Sequence, residues 1–384
     1  MSKVLWLCSW YPNKEQIQNG DFVKRLAQAA SLYDEITTLS IARVNRSSIQ
    51  YKSKEYVRSI NKNLEEIIIM YSCRNNSFLN KIISTIKYLK YHIDEFKRYK
   101  NKHGKPNIIH VQVATKAGII AVLLKIIYRI PYVLTEHWTQ YIEKAEGEYS
   151  KKSFAYKYLM KMIFRNATQV IAVSRILGIR LDELMNVNSI VIPNVVDKKI
   201  FKYDDIARQS KFTFVHISSM SQQKNPLGIL NAFEKLFLRN PNIQLLMVGA
   251  NERFNLDKAK YPNVHFIGTV DYEQIPNILK MSDATIIFSR YETFCCVIPE
   301  SLNCGVPVIS TKVGIAQELI VPGENGFLVN ENENDLFLVM EKIIDWEFDK
   351  VRIASSFTER FSYETIGLEM HNLYTETQNK RSRH

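Results

Sequence analysis

The chain is expected to fold as an α/β protein with two doubly wound, Rossmann-like domains facing across a cleft. Three observations carry this expectation. Short runs rich in Ile, Leu and Val alternate with helical patterns along all 384 residues, the signature of parallel strands wound with helices. The alternation comes in two sets that part near residues 192–203. The length exceeds what one ordinary core fills, so two domains are the natural division.

In the first set the strand patterns lie at 3–10, 35–42, 65–71, 107–112, 131–137, 168–174 and 189–193, with helices at 21–32, 79–102 and 116–128 between them. The second set opens at Lys211. Strands at 212–218, 243–248, 263–267, 284–288 and 307–311 alternate with helices at 226–238, 275–281, 294–303 and 335–344. The domains are accordingly 1–195 and 196–384, and the last helix, about 363–378, is a candidate to pack back on the first domain. Neither first strand is followed by a Gly-x-Gly-x-x-Gly turn, so a dehydrogenase loses its main support.

Composition narrows the class. A hydrophobic fraction of 46% indicates a globular chain. Residues 3–10 form a stretch far too short for a signal peptide or a membrane span, and a cytoplasmic location, at the inner face of the cell membrane, is expected. Five cysteines (Cys8, Cys73, Cys295, Cys296 and Cys304) show no metal spacing, and an odd number argues against a disulfide framework. No metal and no cofactor are expected. The net charge of +12 is lopsided: residues 1–190 hold 30 Lys/Arg against 15 Asp/Glu, the remainder 21 against 24. An anionic partner for the first half follows. No nucleic-acid recognition motif is present, which leaves anionic lipid or a phosphate-linked acceptor.

The most informative stretch runs from Asp283 to Pro307. Ala284–Ser289 reads as a buried strand, Glu292 sits on the loop at its carboxyl end, and a helix is expected from near Phe294. Glu300 follows Glu292 after seven residues, two turns into that helix. The free amides of Thr293, Phe294, Cys295 and Cys296 would then form an anion site between two carboxylates. A diphosphate fits there, with Glu292 near a sugar and Glu300 accepting from ribose hydroxyls. After the first strand, Gly20 opens a helix and lets the backbone approach a ligand.

The two glutamates, followed by Ser301, Gly305, Val306 and Pro307 and preceded by a buried strand, resemble the signature of glycosyltransferase family four, retaining enzymes of the GT-B fold. The resemblance covers essentially the whole chain, strongest over 210–329 and thin over 44–106. It implies a nucleotide-sugar donor and a glycan or lipid-linked acceptor, with no nucleic acid. Gly20, with Asp21 and Phe22, matches the family's loop glycine. His137 resembles the family's donor-facing histidine, and His110 a second recurrent position within the sheet. Glu136 is a lesser candidate, because its neighbour on a strand points the other way. Ser174 and Asn194 match positions beside the cleft and the hinge. Lys224, at the head of a helix, resembles the lysine that neutralises the donor diphosphate. Gly249 ends a strand at the turn that holds the nucleobase in relatives, and Gly314 and Gly326 follow in the familiar order. One departure is plain: the family's second phosphate-binding arginine is replaced by Ser219, leaving Arg290 or Lys312 as candidate substitutes.

The resemblance thus implies retaining, metal-independent glycosyl transfer. His137, Glu292 and Lys224 are its catalytic candidates, and the remaining donor contacts fall to the residues named above. Two other classes share the residues: a sugar-nucleotide epimerase on the same fold, and a catalytically silent binding subunit. The helical stretches 79–102 and 151–165 are basic and amphipathic. In the first, Ile82, Ile83, Ile86, Leu89, Ile93 and Phe96 share one face and lysines the other, fitting core-packed helices or peripheral contact with an anionic membrane.

Overall fold

The computed structural model describes residues 1–44, 53–72, 78–205, 210–249 and 260–382; Cys73 lies outside them. The first sheet has eight strands in the order β3-β4-β2-β1-β5-β6-β7-β8: β1 (Lys3–Cys8), β2 (Glu35–Val44), β3 (Ser53–Asn61), β4 (Leu64–Ser72), β5 (Ile108–Gln112), β6 (Tyr132–Glu136), β7 (Gln169–Ala172) and β8 (Ser189–Val191). All pairs are parallel except β3 with β4. β5 is buried at every position, as a strand covered by helices on both faces must be. Its helices are α1 (Asp21–Ala30), α2 (Phe78–His103), α3 (Lys116–Tyr128), α4 (Phe154–Asn166) and α5 (Arg175–Met185).

The second sheet is six parallel strands in the order β11-β10-β9-β12-β13-β14: β9 (Phe212–Ile217), β10 (Ile243–Val248), β11 (Val264–Ile267), β12 (Ala284–Ile287), β13 (Val308–Thr311) and β14 (Gly326–Val329). Around it lie α6 (Pro226–Phe237), α7 (Ile275–Lys280), α8 (Val297–Asn303), α9 (Ala316–Leu319), α10 (Glu333–Ile344) and α11 (Lys350–Phe357). The strand order switches from one side of the first strand to the other between β1 and β5 in the first sheet and between β9 and β12 in the second. Ligands of open α/β sheets settle in the crevice outside the strand ends at such points.

The final helix α12 (Tyr363–Ser382) lies on the first domain. Tyr374 shares a 2.7 Å hydrogen bond with His110, and His371 pairs with Asp34 at 2.9 Å. Gly367 permits the approach of α12 to α1, since a Cβ there would stand 2.3 Å from the Ala29 carbonyl oxygen.

Three local readings needed correction. The sequence pattern predicts neither the edge strand β3 nor the strand β14, and α8 begins at Val297 instead of near Phe294. In α2 the isoleucine stripe is not the core face: Ile82, Ile83, Ile86 and Ile93 are exposed, while Tyr88, His92, Phe96 and Tyr99 are buried. Among the described residues no helix is long and apolar enough to cross a membrane.

Two predictions follow from this packing. Gly367→Ala forces α12 off α1 and should lower stability by about 1–3 kcal/mol, the usual cost of overpacking; an unchanged unfolding midpoint would show that α12 does not need the contact. Burial holds His92 and His216 near 4 and His110 and His137 near 3. Below about 6.5 the unfolded chain therefore binds protons that the native state refuses, at about 1.4 kcal/mol per histidine per pH unit. Burial also raises the carboxyls of Glu136, Glu234, Glu300 and Glu369, which work in the opposite sense; Glu136, carried to about 7, offsets part of the effect, but all four histidines are pushed below the whole interval from pH 7 to pH 5. The urea midpoint should fall between pH 7 and pH 5, and equal midpoints would contradict buried neutral imidazoles.

Candidate active site

The loops after β6 and β7 of the first sheet meet the loop after β12, at the reversal point of the second. Glu292 follows β12 and is 6% exposed. The 3-10 turn after β9, Gln222–Lys224, brings Lys224 to it, and Nζ donates to Glu292 Oε1 at 2.5 Å. Gln223 Nε2 donates to the Tyr291 carbonyl at 2.8 Å and reaches Glu292 Oε2 at 3.3 Å. Both carboxylate oxygens are thereby engaged. Burial pulls the Lys224 ammonium down, and Glu292 beside it more than restores it, so it stays charged.

The expected anion site takes a different form. Because α8 starts at Val297 and Cys295 adopts φ 70°, the amides of Thr293, Phe294, Cys295 and Cys296 line a turn and not the first turn of a helix. Among the described residues none of these four amides donates to a backbone carbonyl. Gly314 supports the turn from below at φ 52°, where a Cβ would stand 2.5 Å from the Phe294 carbonyl oxygen. Ile315 N donates to that same carbonyl at 3.0 Å. Burial pushes the Cys296 thiol up to about 12, and Cys295 is raised too, so neither is a thiolate near neutral pH. Glu300 on α8 is buried and accepts from the Tyr272 hydroxyl at 2.9 Å.

The facing wall comes from the first domain. His137, just past β6, is buried; its Nε2 pairs with Gln112 Oε1 at 2.9 Å and its ring centroid lies 4.7 Å from that of Phe22. With the Gln112 oxygen accepting, the proton sits on Nε2, and Nδ1, which has no partner among the described residues, offers a lone pair. Glu136 serves the site from behind: its carboxylate accepts the amides of His137 and Trp138 at 2.9 Å each and of Ala114 at 3.0 Å. Burial pushes it up to about 7 against those three amides. The adjoining Val113 holds φ 69°, costly for a β-branched residue, with Ser9 Oγ donating to its carbonyl at 3.0 Å.

The two walls touch directly. Ser174 Oγ donates to the Thr293 carbonyl at 2.6 Å, and Thr293 Oγ1 donates to the His137 carbonyl at 2.9 Å. Asn194 Nδ2 lies 3.9 Å from Cys296 Sγ, and its Oδ1 has no partner among the described residues. Gly20 caps α1 at φ 71°, packed so closely on Trp10 that a Cβ would meet its carbonyl carbon at 2.6 Å. Gly249 closes β10 and donates to the carbonyls of Ile267 and Gly268 at 3.0 and 3.1 Å. His110 stays inside the sheet, bound to Thr135 Oγ1 at 2.7 Å as well as to Tyr374.

The two candidate substitutes for the missing arginine are drawn outward. Arg290 pairs with Glu331 at 2.8 Å and Lys312 reaches Asn330 at 3.4 Å, both exposed. The cation that sequence reasoning missed is Arg25 on α1, which is 6% exposed and lies 4.3 Å over the Tyr272 ring. A signal existed: Arg25 shares the helical stripe of Phe22 and Ala29, at spacings of three and four residues. Among the described residues no group of three His, Cys, Asp or Glu is placed to hold a metal ion.

Comparison with known proteins supplies the family. Residues 197–360 match the family described as Glycosyl transferases group 1, and residues 56–199 match Glycosyltransferase Family 4. The chain is 25% identical over 343 residues to an uncharacterized glycosyltransferase of Methanocaldococcus jannaschii, covering 84% of this chain and 93% of that one. It is 27% identical over 291 residues to N-acetyl-alpha-D-glucosaminyl L-malate synthase of Bacillus anthracis, covering 70% and 74%. Its fold matches that of Anabaena HepE in complex with UDP-glucose with a TM-score of 0.70 at 18% identity, over 98% of this chain and 100% of the other. The two family matches run on from one another through both sheets, and the chain belongs to the family-four, group-one glycosyltransferases of the GT-B fold.

Proposed function

We propose that the enzyme moves a sugar, with retention and without a metal, from a nucleoside diphosphate to a hydroxyl of a glycan or lipid-linked glycan. The observation that carries this reading is the meeting of Lys224, Glu292 and the unpaired amides of 293–296 at the reversal point of the second sheet, opposite neutral His137. Lys224 and those amides would take the charge that builds on the departing diphosphate. Glu300 would exchange the Tyr272 hydroxyl for ribose hydroxyls. His137 Nδ1 would accept from a sugar hydroxyl. Gln223 holds Oε2 of Glu292, and Oε1, released as Lys224 turns to the phosphate, would accept from a sugar hydroxyl and position the sugar. Front-face attack, with the leaving phosphate oxygen accepting the acceptor's proton, then accounts for retention.

A panel of UDP-, GDP-, ADP- and dTDP-sugars, screened by thermal shift, tests the donor; a ligand at a hundred times its dissociation constant adds about 2.7 kcal/mol. One sugar nucleotide should stabilise the protein, its product should keep the donor's anomeric configuration by NMR, and EDTA should leave turnover intact. Inversion, or a loss with EDTA that magnesium restores, would overturn the mechanism. Release of an isomerised sugar nucleotide without acceptor would indicate an epimerase instead.

We also infer that the acceptor is presented at an anionic membrane. The helices α2, α3 and α4 form adjoining parts of one layer, and their outer faces expose Ile83, Ile86, Ile126, Ile127, Phe154 and Tyr158. Lys90, Lys97 and Lys151 are exposed on the same helices or at their margin. Apolar side chains interleaved with lysines suit the interface of an anionic bilayer, at about 1 kcal/mol per lysine near the surface. The protein should float with vesicles containing phosphatidylglycerol and not with phosphatidylcholine alone, and Ile86→Asp with Ile126→Asp should abolish flotation. Equal recovery with both vesicle types, or no effect of the substitutions, would sink the inference.

A further inference from the structure

The charges around the cleft do not balance for an anionic ligand. Lys224 is opposed by Glu292 and Arg25 by Asp21, while Glu300 adds a further buried carboxyl. A nucleoside diphosphate brings at least two more negative charges. Lys224 alone, already paired, cannot meet them, and Arg290 and Lys312 are turned outward. Ser219, where a second cation was expected, is an exposed hydroxyl.

Arg25 has the attributes the site lacks. It projects from the first domain onto Tyr272, whose hydroxyl donates to Glu300, so it stands at the second domain's ligand loops without belonging to them. Its side chain is 8% exposed, whereas that of its partner Asp21 is 40% exposed, so water screens the pair from the Asp21 side. Among the described residues its buried Nε has no hydrogen-bond partner, while another part of its guanidinium lies beside the Cys296 thiol. A buried N–H left unsatisfied costs about 1–3 kcal/mol, and the planar guanidinium fork matches phosphate oxygens. Among the described residues His137 Nδ1 and Asn194 Oδ1, on the same wall, are likewise without partners, as are several buried polar atoms farther back in the domain.

We propose that Arg25 is a diphosphate-binding residue of the donor site, supplied by the opposite domain, with Nε–H and the adjoining edge of its guanidinium donating to a phosphate oxygen. The proposal rests on the nucleotide-sugar reading above. The diphosphate is then held by one cation from each domain, Lys224 and Arg25, and donor binding ties the two halves together.

Calorimetric titration of UDP, inorganic pyrophosphate and uridine into the wild type, Arg25→Gln, Arg25→Lys and Lys224→Gln tests this. Arg25→Gln should weaken UDP and pyrophosphate tenfold or more while changing uridine less than twofold. Arg25→Lys, which keeps the charge but loses the fork, should fall between; it carries the test if Arg25→Gln does not fold, and an affinity equal to wild type would then overturn the proposal. Equal proportional losses for uridine and UDP would reduce Arg25 to a packing residue on Tyr272. If Lys224→Gln loses UDP and Arg25→Gln does not, the donor site stands and the role of Arg25 falls. If the wild type binds neither UDP nor pyrophosphate, and no nucleotide from the thermal-shift panel, the donor reading itself fails and takes this proposal with it.

Discussion

A lysine and a glutamate, one on the loop after β9 and one on the loop after β12, stand 2.5 Å apart where the second sheet reverses its direction of growth. Removing one partner of such a buried pair costs about 3–5 kcal/mol, because the other is left as uncompensated charge. The pair therefore fixes both loops at once. The loop that carries Glu292 carries Thr293 next, and Thr293 touches Ser174 through its carbonyl and His137 through its hydroxyl. A single ion pair thus sets the loop through which the second domain meets the first.

Around His137 the first domain relies on hydrogen-bonded groups and not on an ion pair. Glu136 gathers three amides from two loops and so holds His137 and Val113 in place without itself reaching the cleft. His137 is kept neutral by burial, and its orientation by Gln112. In the donor site proposed above, an imidazolium at this position would compete with Lys224 for the diphosphate, whereas a neutral ring would leave the positive charge on Lys224. The helix α12 returns across the linker to lock the back of this wall through Tyr374 and His110.

Much of this was legible in the sequence because buried parallel strands read as continuous apolar runs, and loops at their carboxyl ends advertise polar residues. Glu292, Glu300, Lys224 and His137 all lie at such ends, and the structure gathers Lys224, Glu292 and Glu300 around one cleft with His137 opposite. What escaped has physical reasons. β3 mixes Lys54, Glu55 and Arg58 with its apolar residues, as an exposed edge strand does, and so carries no core signal. The start of α8 was misplaced because the left-handed turn at Cys295 uses no glycine. The stripe of isoleucines on α2 suggested a core face, yet the helix buries Tyr88, His92 and Tyr99, which only the packed neighbours decide. Arg25 drew no expectation from the sequence, because its burial depends on Tyr272 of the other domain, nearly 250 residues away.

The most direct measurement is a crystal structure with UDP bound. Lys224 Nζ should have left Glu292 Oε1 for a phosphate oxygen, and Glu300 should have exchanged the Tyr272 hydroxyl for ribose hydroxyls. A nucleotide bound elsewhere, with the Lys224–Glu292 and Tyr272–Glu300 contacts intact, would contradict the assignment of this joint as the donor site.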